Sequence, residues 1–121
     1  MPQADELVTE FRRVAREKAA RLRQGTAAQD HKLHRRMSAI IATLEASGAE
    51  GAAALGALLD DADADVAGWV AAHFAALGRA DGVRALERLA QGVGMGAFGA
   101  QQALASSRAG TLRSPFGVAT P

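Results

Sequence analysis

The chain has 121 residues, no cysteine, no tyrosine, four phenylalanines, one tryptophan and a formal net charge of +1. That length suits one domain burying roughly two-thirds of its unfolded surface, and the absence of thiols excludes disulfides, cysteine nucleophiles and Cys-zinc sites. Charge is unevenly spread: residues 1–36 hold nine Lys/Arg against five Asp/Glu, residues 37–91 hold three against eight, and residues 92–121 add only Arg108 and Arg113. A basic head on an acidic body bears on partners rather than on fold.

No apolar run approaches the ~18 residues of a membrane span. Asp5 and Glu6 stand where a signal peptide needs a basic and then an apolar stretch. A cytoplasmic protein without a membrane partner is therefore expected.

A first helix is expected over residues 5–23, with Leu7, Val8, Phe11, Val14, Ala15 and Leu22 on one face. Gly25–Thr26 breaks it. A second helix over 28–46 carries Leu33, Met37, Ile40, Ile41 and Leu44, and Ser47–Gly48 ends it. Residues 50–59 read as a short alanine-rich third helix, with Leu55, Leu58 and Leu59 at i, i+3, i+4 spacing.

The fourth helix, 63–77, places Val66, Val70, Phe74 and Leu77 within an arc of about 80°, an apolar stripe facing a core. Asp61 or Asp63 is placed to cap its N-terminus, and Asp65 lies in the first turn near the positive end of the helix dipole. Gly78 follows as a C′ glycine. A fifth helix over 79–91 carries Val83, Leu86, Leu89 and Ala90. Beyond the glycine-rich stretch 92–99, a sixth spans 97–106 with Phe98 and Leu104. The domain is expected to end at residue 106; the tail, 107–121, has Ser-Pro and Gly but no periodicity, so it reads as extended or disordered. No segment alternates at period two, so no sheet is expected.

Leu58-Leu59-Asp60-Asp61, Val66, Ala71-Ala72 and Leu77-Gly78 fall in the order of a HEAT repeat, and residues 55–78 resemble that helical hairpin. One departure is Ala67, where such repeats commonly carry arginine. Over residues 7–106 the chain is also similar to a small bacterial HEAT-like family, the domain of unknown function, number 2019. That similarity is carried by Leu7-Val8 with Phe11, Met37 to Leu44-Glu45, Leu58 to Asp61 with Val66, and Ala103-Leu104. It implies an all-α fold: an α-α superhelix of about six helices in two to three HEAT-like hairpins. It implies no catalytic residue.

Several motifs have a functional and a structural reading. Asp61, Asp63 and Asp65 match the first ligand positions of an EF-hand loop, but Val66 stands where its glycine belongs and Ala72 where its closing glutamate belongs. Helix capping is the better reading. Gly94, Gly96 and Gly99 satisfy the letters of a dinucleotide fingerprint, yet a helix precedes them and no acid follows; a flexible joint allowing close backbone approach is favoured. His31 and His34 beside Asp30 lie among Lys32, Arg35 and Arg36, a solvated basic face rather than a metal site. No Gly-x-Ser-x-Gly elbow or paired acid and base supports catalysis. No catalytic residue, metal or cofactor is assigned.

Trp69 and His73 lie one turn apart at the margin of the apolar stripe. A half-buried histidine stacked on tryptophan is the favoured reading, and a binding hot spot the alternative. The candidate binding set is thus Trp69, His73, Asp61, Asp63 and Asp65. The expected function is a non-enzymatic protein-protein interaction module, in its most concrete form an immunity or inhibitor protein binding a bacterial toxin or enzyme. The alternative is a nucleic-acid-binding helical repeat using Arg12, Arg13, Arg16, Lys18, Arg21 and Arg23, which lack interleaved aromatics. A small-molecule pocket beside Trp69 and His73 is a third possibility.

Overall fold

A computed structural model describes residues 3–23 and 30–116. The described residues form α1 (Ala4–Arg23), α2 (Asp30–Ala46), α3 (Gly48–Leu58), α4 (Ala64–Ala76), α5 (Ala80–Ala90) and α6 (Met95–Arg108), with no strand among them. The all-α expectation is met. The expected break at Gly25–Thr26, the expected start at Ala28, the Leu22 and Arg23 side chains and the tail beyond Phe116 lie outside the described residues. The helices form two compact units, residues 1–58 and 59–121.

In the first unit, α1, α2 and α3 each pack on the other two. Leu7, Phe11, Val14 and Ala15 of α1 are buried, as are Met37, Ile40, Ile41 and Leu44 of α2, so the 3.6-residue period identified the inward faces. Leu55 and Leu58 complete the core from α3. Val8 and Leu33, expected on these faces, are only half-buried at their edges. Ser47 alone separates α2 from α3, so α3 begins two residues before Glu50. Across α1 and α2, Arg36 grips both carboxylate oxygens of Glu10, and Lys18 donates to Asp30. These hydrogen bonds hold the Glu10 and Asp30 carboxyls below their ordinary range. Being partly solvated, each pair stabilises by no more than about 1 kcal/mol.

In the second unit, α4, α5 and α6 likewise pack on one another. Val66, Val70 and Phe74 face a core completed by Ala85, Leu86, Ala97, Ala100 and Leu104. Gly82 is the crossing point of α5 over α4. A Cβ there would lie 2.5 Å from the Ala75 nitrogen and 2.6 Å from Phe74 Cβ, so the helices come this close only over a glycine. The α4 C-terminus closes as expected: the Gly78 N–H donates to the Ala75 carbonyl and the Arg79 N–H to that of Phe74, the paired Schellman bonds. The Arg79 guanidinium lies 3.9 Å above the Phe74 ring centroid and also grips Asp81, whose carboxyl it holds below the usual range.

Two expectations change here. Leu77 falls beyond the last helical residue as the C-cap, with φ −82° and ψ 2°, and is 44% exposed instead of continuing the stripe. α6 begins at Met95, not Ala97, because Gly94 caps it with φ +92°, a conformation suited to glycine. Gly96 and Gly99 are therefore helical rather than parts of a flexible joint. Gly96 does permit close approach: a Cβ there would sit 3.3 Å from Ala64 Cβ. In this register Ala97, Ala100 and Leu104 turn inward, and Phe98 turns outward.

Candidate functional site

The aspartate turn organises the start of α4. The Asp63 amide donates to Asp61 Oδ1 at 2.9 Å, folding the turn on itself, and the Asp65 amide donates to Asp63 Oδ1 at 2.9 Å. Asp63 is the N-cap, in extended conformation, and Asp65 lies in the first turn. Carboxylates at these positions answer unpaired amides and the helix dipole. Asp63→Ala is expected to lower stability by about 1 kcal/mol. Asp61→Ala, which removes a turn bond and leaves the helix cap, should cost less. Equal losses in urea unfolding of the two variants would contradict this division of roles.

Trp69 and His73 project from α4 one turn apart, and the chain's own tail meets them there. His73 is fully buried rather than half-buried, because residues 114–116 cover it. Ser114 Oγ and His73 Nδ1 share a hydrogen bond of 2.7 Å. The same hydroxyl accepts the Phe116 amide at 3.1 Å. The Phe116 ring lies 5.9 Å from Trp69, tilted, and 5.5 Å from His73, edge-on. Phe116 is itself buried, while Trp69 is half-buried. The tail from Thr111 to Ser114 is non-helical, and Ser114 is disfavoured from helix by the proline that follows it. Phe116 thus occupies the space beside Trp69 and His73 in which a small-molecule pocket was considered.

The remaining candidates are spatially separate or internally compensated. Arg13 and Arg21 both approach Glu17, at 3.5 and 3.3 Å, so acids interleave with the cations of α1. Asp30, the carboxylate beside His31 and His34, accepts from Lys18, which places a cation where a metal would compete. An open cleft of about 380 Å³ lies between α5 and α6, lined in part by Glu87, Gln91, Gln101 and Arg108.

A second surface escaped the sequence reading. Val93 is 97% exposed, Met95 69% and Phe98 57%, at the loop before α6 and on one face of its first turn. Met95 and Phe98 are helical neighbours at i, i+3. Gly92 through Ser107, sixteen consecutive residues, include no charged side chain, so the segment that presents these three side chains carries no charge of its own. A scan of the sequence for charge-free runs would have marked it.

No family model, curated protein or solved structure matches the chain.

Proposed function

We propose that this chain is a non-enzymatic protein-interaction module whose partner docks on the Val93, Met95 and Phe98 surface. The exposure of those three side chains within a charge-free stretch is the observation that carries the reading. Apolar surface held in water is costly to a monomer and marks interaction sites when it is contiguous. Interface cores are depleted in charge and enriched in Phe and Met, the composition found here. The matching partner surface is apolar and uncharged at its centre.

The HEAT-like resemblance agrees with this reading, since helical repeats act by presenting surfaces. A finer form is an inhibitor or immunity protein that covers a basic enzyme of the toxin kind. Six acids against three bases in residues 59–91 support that form, because an excess of acidic side chains steers association with a basic partner.

The test is retention of a partner from nuclease-treated native lysate by the tagged chain, repeated with Phe98→Glu. One protein should be held stoichiometrically by the native chain. Phe98→Glu, placing a charge on an exposed position, should keep native helix content and weaken that binding more than tenfold, about 1.4 kcal/mol. Undiminished retention by the variant removes this surface from the interface. Recovery of nucleic acid alone, lost on nuclease treatment, would instead favour the basic face of α1.

A further inference from the structure

The tail is seated on α4 in the manner of a bound peptide. Two alternate positions face Trp69 and His73: the Ser114 hydroxyl on buried His73, and the Phe116 ring against both. One polar anchor within an otherwise aromatic contact is how ligand sites fix orientation. The segment that leads there is tied to α6 only at its first residue, Thr111, whose amide and hydroxyl both donate to the Ser106 carbonyl. α6 is closed before the tail begins, by the Thr111 N–H donating to the Ser106 carbonyl and the Gly110 N–H to that of Ser107. Residues 111–113 belong to no helix; Thr111 and Arg113 are exposed and Leu112 between them is half-buried. The tail can therefore leave α4 without unwinding α6.

We propose that the α4 surface of Trp69 and His73 is a peptide-acceptor site, held here in cis by Ser114-Pro115-Phe116. Its ligand in trans is an extended segment of a partner protein with a hydroxyl residue two positions ahead of an aromatic. The hydroxyl is selected because it supplies the bond that Ser114 makes to the buried His73 Nδ1 here, a bond an occupant without one forgoes. The aromatic is required because the space it fills is bounded by two rings. This assignment rests on the interaction-module reading and adds the partner's recognition chemistry. The resident segment sets a threshold: tethered by a short linker, it competes at an effective concentration of order millimolar.

Trp69 is the sole tryptophan, so its fluorescence reports this site directly. The probe is a synthetic peptide of residues 110–116, Gly-Thr-Leu-Arg-Ser-Pro-Phe, titrated into the full chain and into full-length Phe116→Ala. In the variant the peptide should produce a saturable change at a concentration at least about tenfold below that needed with the native chain, where the resident ring must first be displaced. A peptide ending in Ala should produce none. Phe116→Leu, which keeps apolar bulk, takes the place of the alanine variant if that variant loses its helical circular dichroism. A folded variant with no saturable response, or with equal responses to both peptides, overturns the acceptor site. No lysate partner enters this titration, so its failure leaves the Phe98 surface standing, and loss of the Phe98 surface leaves this site standing.

Discussion

Gly51→Ala is expected to destabilise the first unit strongly, whereas Gly56→Ala in the same helix is expected to stabilise it. A Cβ on Gly51 would lie 1.8 Å from the Leu44 carbonyl oxygen, 2.8 Å from its carbonyl carbon and 2.9 Å from Ser47 Cβ. Two of those atoms are backbone at the end of α2 and cannot rotate away. Relief requires α3 to lift from α2, which exposes Leu55 and Leu58. Overpacking ordinarily costs about 1–3 kcal/mol and occasionally more. Against backbone the cost reaches or passes that upper figure, a large share of the ~5–15 kcal/mol of a small domain. At Gly56 a Cβ meets nothing within 4 Å, and the residue is helical, so alanine gains about 0.5–1 kcal/mol by propensity. Urea unfolding followed by circular dichroism measures both. Shifts of the same sign would contradict the tight α2–α3 contact.

The elements were legible where their signals are local. Met37, Ile40, Ile41 and Leu44 disclose an inward face by spacing alone, and all four are buried. The aspartate turn and Gly78 disclose the ends of α4 because caps act through bonds within a turn, and of Asp61 and Asp63, both placed to cap, it is Asp63 that does so. The start of α6 was not legible for the converse reason. Gly94 is present for its positive φ and Gly96 for its approach to Ala64, two demands that look the same in a string of glycines. Reading the stretch as a joint displaced the helix start by two residues, from Met95 to Ala97.

The candidate site divides along the same line. Trp69 and His73 announce themselves at the edge of an amphipathic stripe. Their cover does not, since Ser114 bonds a residue 41 positions away and no periodicity reports such a contact. The available sign was chemical: Phe116 is one of only five aromatic residues in the chain, and it lies in a tail otherwise rich in small and polar residues. An aromatic there is poorly accounted for by disorder, which is depleted in such side chains.

Ser114→Ala is expected to destabilise the second unit by about 1–3 kcal/mol, against roughly 0.5 kcal/mol or less for a surface hydroxyl. The hydroxyl sits 2.7 Å from the nitrogen of a fully buried ring and accepts the Phe116 amide as well. Alanine removes both bonds. If the tail stays, the imidazole loses this bond where water does not reach it; if the tail lifts, Phe116 and His73 are exposed. Both routes cost stability, so the sign does not depend on which is followed. Ser114→Thr keeps the hydroxyl and should remain near native. His73→Phe removes the buried nitrogens, so adding Ser114→Ala to it should cost about 1 kcal/mol less than the same change in the native chain. Urea unfolding monitored through Trp69, which touches Phe116, reads each corner of this cycle. Losses that add within about 0.5 kcal/mol would mean that the Ser114–His73 bond does not hold the tail, leaving the ring contacts of Phe116 to do so alone.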